Sequence, residues 1–99
     1  MTMTDAAITV LVENTAGKRG LLGEHGLAFW IEWNGSRILF DTGQGHVLAG
    51  NAQRLAVPLA RADAIVLSHG HYDHSGGLGE ALRQAPKAVL YAHAEAFAP

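Results

Sequence analysis

An α/β (α+β) fold, a mixed sheet carrying two helices, is what this 99-residue sequence predicts. Three observations carry that expectation. Short apolar, often β-branched segments of strand length recur along the chain. Asn34-Gly35 joins two of them as a tight hairpin, because both positions tolerate positive φ. Two stripes of apolar residues at helical spacing lie among the later segments.

The elements follow in order. Ala7-Ile8-Thr9-Val10-Leu11-Val12 is rich in β-branched residues and reads as an inner strand. Residues 13–26 hold four glycines and the charged pair Lys18-Arg19, so they read as a long loop, and loops of that length are often functional. Residues 27–33 form a second strand, with Ala28, Trp30 and Glu32 on one face and Leu27, Phe29, Ile31 and Trp33 on the other. Phe29, Trp30 and Trp33 read as core or sheet packing. Arg37-Ile38-Leu39-Phe40 returns antiparallel and delivers the chain to Asp41.

Leu48, Ala52, Leu55 and Ala56 mark a helix that His46 starts and Pro58 ends, and His46 is assigned no further role. Ala64-Ile65-Val66-Leu67-Ser68 reads as a buried strand. Leu78, Ala81, Leu82 and Ala85 mark a second helix, ended before Pro86. Ala88-Val89-Leu90-Tyr91-Ala92 closes the order as a last strand. No linker, repeat or low-complexity stretch divides these elements, so residues 1–99 read as one unit.

Chemistry concentrates directly after the buried strand. His69-Gly70-His71-Tyr72-Asp73-His74 packs three imidazoles and a carboxylate into six positions. A strand ending there delivers them at its C-terminal mouth, where α/β proteins usually place their chemistry. Neutral imidazole nitrogen and carboxylate oxygen suit zinc and similar divalent ions, with iron or manganese also compatible. In an extended segment His69 and His71 point the same way, with Gly70 leaving the space between them open. Asp73 and His74 project differently and can serve a second ion, so that two ions share and ionise one water.

Composition excludes other classes. Seven Lys and Arg against nine acidic residues leave a formal charge of −2, which offers no footprint for nucleic acid or an anionic membrane. Hydrophobic residues make up 48%, enough for a core. The absence of cysteine removes thiolate ligands and disulfides. Met1-Thr2-Met3-Thr4-Asp5 lacks the basic and apolar regions of a signal peptide, and a cytoplasmic location is the expectation.

Leu67-Ser68-His69-Gly70-His71-Tyr72-Asp73-His74-Ser75-Gly76-Gly77-Leu78 resembles the metal-binding signature of the metallo-β-lactamase-fold hydrolases. Leu39-Phe40-Asp41-Thr42-Gly43 resembles their earlier strand ending in Asp-Thr-Gly. Val10-Leu11-Val12-Glu13-Asn14-Thr15 and Leu22-Gly23-Glu24-His25-Gly26-Leu27 resemble the dihydropterin-type ribofuranosylaminobenzene 5′-phosphate synthase branch. The resemblance implies the N-terminal half of an αββα sandwich and a metal-dependent hydrolase. A metal-activated water would attack a carbonyl or phosphoryl centre of a small-molecule substrate.

It further implies that His69 and His71 hold the first ion, and Asp73 and His74 the second. Asp73 also orients the water or accepts its proton. Asp41 would support the imidazoles from behind. From their place in the long loop, Glu24 and His25 either reach substrate or belong to an ordinary polar loop. His93 lies too soon after His74 to be the family's third ligand and reads as ending the last strand. A half-sandwich exposes the sheet face its other half would cover, so self-association through that face is expected. The alternative is a non-catalytic metal-binding or self-associating module.

Overall fold

The computed structural model describes residues 6–15 and 20–97; Lys18-Arg19 of the long loop and the first five residues lie outside the described residues. Five strands form one mixed sheet: β1 (Ala6–Val12), β2 (Ala28–Trp33), β3 (Ser36–Phe40), β4 (Ala64–Val66) and β5 (Val89–Tyr91), in the spatial order of the chain. β1–β2 and β2–β3 pair antiparallel, whereas β3–β4 and β4–β5 pair parallel. Each parallel step requires a crossover, and α1 (Leu48–Arg54) and α3 (Leu78–Gln84) lie in those two connections. Asn34 (φ 52°) and Gly35 (φ 83°) form the hairpin turn that the Asn-Gly pair dictates.

Register sorts the side chains by face. Trp30, Leu39 and Ile65 are partners along one row and are buried against the helices. Leu48 and Ala52 of α1 and Ala81 at α3 join them in one core, and full burial of a Leu or Ile there contributes about 1.5–3 kcal/mol. The opposite face carries two rows in register across all five strands: Val10-Phe29-Phe40-Val66-Tyr91 and Ile8-Ile31-Ile38-Ala64-Val89. No described element covers those rows, and Ile8, Val10, Val89 and Tyr91 are exposed. The Phe29 and Phe40 rings stack across the strands there, with centroids 6.4 Å apart.

Several details depart from the sequence expectations. β1 is an edge strand, not an inner one, because it pairs only with β2. A bulge between Val10 and Val12 turns both Leu11 and Val12 into the core. Trp30 is core, whereas Trp33 is half-exposed at the hairpin end. Leu82 is exposed on α3, so that helix presents a narrower stripe than its sequence suggests.

α1 ends before Pro58 acts. The Ala56 and Val57 N–H groups donate to the Gln53 and Ala52 carbonyls while Ala56 sits at φ 57°. That is a Schellman ending with alanine where glycine is usual. Left-handed backbone costs an L-residue about 1–2 kcal/mol, part of which glycine's greater unfolded entropy offsets. Ala56→Gly is therefore expected to stabilise by up to about 1 kcal/mol. Thermal melts should show a rise of about 4–8 °C per kcal/mol; an unchanged or lower midpoint would contradict this account.

Candidate metal centre

β3 and β4 run parallel, so their C-terminal ends open on the same side of the sheet, and both polar motifs emerge there. Asp41 leaves β3 at φ 59°, a left-handed turn that Asp tolerates better than most residues, and its N–H donates to Val66 O (2.8 Å). β4 ends at Val66, Leu67 is buried and donates to Tyr91 O, and the chain then turns outward into the histidines. His71 is extended and caps a single helical turn, α2 (Tyr72–Ser75), which the sequence pattern does not reveal. That turn places Asp73 and His74 on the same side as the preceding imidazoles.

His69, His71 and Asp73 each offer a donor atom, and these atoms lie within 4.8 Å of one another. His74 Nε2 approaches Asp73 Oδ2 at 3.6 Å, and its ring lies 4.1 Å from the His69 ring between centroids. The His69 and His71 rings meet edge to face at 4.7 Å. Asp73 thus neighbours His69 and His71 as well as His74, where the sequence spacing alone suggests two separate pairs.

Asp41 sets the proton positions on two of these rings. Its carboxylate is fully buried and only accepts, so every neighbour must donate. Ser68 N–H donates to Oδ1 (2.7 Å), and Ser68 Oγ–H and His74 Nδ1–H both donate to Oδ2 (2.7 and 2.8 Å). Ser68 has spent its one hydroxyl proton on Asp41, so it accepts from His69 Nδ1–H at 2.7 Å. Both rings therefore carry a proton on Nδ1, and in the neutral ring the Nε2 lone pair is the free one. That arrangement suits a metal-ligating histidine, which typically has one ring nitrogen free and the other anchored to a hydrogen-bond partner.

The neighbouring backbone holds the loop in place. Thr42, also fully buried, donates through Oγ1 to His74 O (2.9 Å) and accepts from Gly77 N–H (3.0 Å). Ser75 Oγ lies 2.9 and 3.0 Å from the Gly70 and His71 carbonyls and closes the loop on itself. Gly70 is needed for a reason other than space between imidazoles: a Cβ there would run into the Ala96 carbonyl, on the last 3-10 turn. At Gly26 a Cβ would stand 2.5 Å from the Asp73 carbonyl, because the long loop crosses directly over the metal loop.

The two loop residues behave differently. Glu24 is half-buried and accepts from Gln44 N–H through Oε2 (2.7 Å), bracing the turn after Asp41. His25 is exposed, with Nε2 3.3 Å from Asp73 Oδ2. His93 lines a cleft of about 370 Å³ with Ser68, His69, Gly70, His71 and Glu95, while its Nδ1 accepts from Glu95 N–H. His46 is exposed ahead of α1. Another cleft, about 420 Å³, lies at the β2–β3 hairpin and gathers no histidine or aspartate.

Sequence reasoning missed Ser68, Thr42 and Asn51. Asn51 is buried on the Leu48–Ala52 stripe, and its amide bonds the Leu11 and Leu22 carbonyls and the Leu22 N–H, tying the long loop to α1. A polar residue interrupting an apolar stripe was the available signal. Nitrogen and oxygen donors with fixed tautomers fit a divalent cation.

A family model described as the metallo-beta-lactamase superfamily matches residues 22–99, spanning both motifs. An uncharacterised protein of Methanocaldococcus jannaschii is 42% identical over 91 residues, covering 91% of this chain and 35% of that protein. The 7,8-dihydropterin-6-methyl-4-(beta-D-ribofuranosyl)-aminobenzene-5′-phosphate synthase of the same organism is 35% identical over 97 residues, covering 91% and 33%. The chain thus spans about a third of the length of these curated relatives. A solved diphosphatase of the PhnP family superposes with a TM-score of 0.66 at 26% identity, over 95% of this chain and 44% of its own.

Proposed function

The chain belongs to the metallo-beta-lactamase superfamily, and from that premise we propose that it contributes the metal site of a metal-dependent hydrolase. The observation that carries this reading is the Asp41 network, which frees Nε2 on His69 and His74 beside His71 and Asp73. His69, His71, Asp73 and His74 would hold one or two divalent ions, with zinc the best match to the donor set and iron or manganese compatible. A bound cation supplies Lewis acidity, acidifying a water and polarising the oxygen of the group under attack.

The remaining work falls to this chain's own side chains. The Asp73 carboxylate orients the water and accepts its proton. His25, at 3.3 Å and open to solvent, stands where that proton can leave or where a substrate can be met. Glu24 holds the turn from which both approach. One relative is named for a 5′-phosphate and a solved neighbour as a diphosphatase, the ground for proposing a phosphoryl centre in a small-molecule substrate, while a relative named a thioesterase is the ground for the carbonyl alternative. Among the described residues no helix is long and apolar enough to cross a membrane, and the proposed setting is the cytoplasm, without nucleic acid.

The test uses zinc- or manganese-loaded protein against a phosphodiester, a thioester and a β-lactam. Hydrolysis of the phosphodiester is expected, abolished by chelation and reduced about 10²–10⁴-fold in Asp73→Asn. Turnover that survives both treatments would refute the proposal. Metal uptake without turnover of any substrate would support the second reading, a non-catalytic metal-binding module.

A further inference from the structure

We propose that His93 positions substrate at the metal centre, donating a hydrogen bond from Nε2–H to an oxygen of the group under attack. The assignment deepens the metal-site reading and rests on it. β4 and β5 pair in parallel and Leu67 N–H donates to Tyr91 O, so the segment after β5 emerges beside the metal loop. A 3-10 turn, Ala94–Phe97, follows there. Its Ala96 carbonyl packs so closely on Gly70 that no Cβ would fit between them. His93 immediately precedes that turn, is exposed, and shares a cleft with His69 and His71.

Hydrogen bonding fixes what His93 can offer. Its Nδ1 lies 3.1 Å from Glu95 N, and a backbone N–H can only donate. Nδ1 is therefore the unprotonated nitrogen, and Nε2 carries the proton of a neutral ring. His69 and His74 have the opposite arrangement, with Nδ1–H held by Ser68 and Asp41. Those two rings present lone pairs, which suit a cation, while His93 presents a donor, which suits an oxygen. Among the described residues, the donor atoms gathered within 4.8 Å come from His69, His71 and Asp73, and His93 stands outside that group. A fixed donor of this kind stabilises an oxygen as negative charge builds on it. Glu95 lines the same cleft, and its carboxylate repels a second anionic group. The oxygen that His93 meets therefore belongs to a singly charged phosphodiester rather than to a terminal phosphate dianion.

Two variants separate this role from that of a simple cap. His93→Asn keeps an acceptor for Glu95 N–H but loses the outer donor, whereas His93→Gln keeps a donor at the place of Nε2 and loses the acceptor. Heteronuclear spectra of the imidazoles in the metal-free chain are expected to show His93 protonated at Nε2, and His69 and His74 at Nδ1. Added zinc should shift the His69 and His71 rings and leave His93 in place. Dimethyl phosphate, a slowly hydrolysed phosphodiester, should then perturb His93. Its affinity should fall about three- to tenfold in His93→Asn and stay near the parent's in His93→Gln, with zinc affinity unchanged in both. A His93 ring protonated at Nδ1, or one that shifts with zinc as a ligand does, overturns the proposal. So does equal anion affinity in the parent and His93→Asn, or a loss confined to His93→Gln with a lowered melting midpoint, which would leave the histidine a cap alone. Failure to take up zinc refutes the metal-site reading and this proposal with it. That result is told apart on the His69 and His71 signals before any anion is added.

Discussion

Changing His69 and His71 together to alanine is expected to abolish tight binding of a divalent cation while leaving the fold in place. The two rings supply two of the three donor atoms gathered within 4.8 Å. Their loss leaves Asp73 and His74, fewer than the three protein ligands zinc normally takes at a catalytic site. Affinity should fall by more than the ~10–100-fold typical of removing an outer hydrogen-bond partner. His71 is exposed and His69 only half-buried, so the metal-free variant should stay within about 1 kcal/mol of the parent. Titration with a chromophoric chelator and a metal-free melt separate the two effects. Unchanged metal content would refute the assignment of the site.

Asp41→Asn should behave differently, lowering both stability and affinity. Asparagine fits the space and tolerates the left-handed backbone at φ 59°, so packing and strain are preserved. What changes is acceptor capacity. The carboxylate accepts at both oxygens, from Ser68 N–H at one and from the Ser68 hydroxyl and His74 Nδ1–H at the other. An amide has one oxygen, so its NH₂ faces either the Ser68 N–H or the Ser68 hydroxyl and His74 Nδ1, which must then turn from donor to acceptor. Either a part-buried donor loses its partner or the His74 ring loses its Nδ1 proton, at a cost of about 1–3 kcal/mol. The melting temperature of the metal-free protein should drop about 4–8 °C for each kcal/mol. His74, and His69 through Ser68, lose their enforced tautomer, so metal affinity should fall about 10–100-fold. A variant that melts lower yet binds metal as tightly as the parent would limit Asp41 to a structural role.

The open sheet face and the metal centre share one cause. Among the described residues α1 and α3 pack on the Trp30–Leu39–Ile65 side, the parallel strands β3 and β4 keep their ends free, and no described element lies over their other face.

Much of this was readable from local pattern. The Asn34-Gly35 turn, the apolar run at Ala64 to Leu67 and the two helical stripes are signals that recur within a few residues. The spacing of His69, His71, Asp73 and His74 is local as well, so the candidate ligands could be picked out and the superfamily recognised. Tertiary structure alone decided the rest. Asp41 reaches Ser68 and His74 across 27 and 33 residues, Thr42 reaches His74 across 32, and Asn51 reaches Leu11 across 40. Contacts at that separation leave no periodic trace in a single sequence. Nor could periodicity show that α2 forms inside the metal loop, that β1 lies at an edge, or that α1 stops at a left-handed Ala56. Each depends on which backbone donors and apolar faces remain unsatisfied once the sheet has assembled.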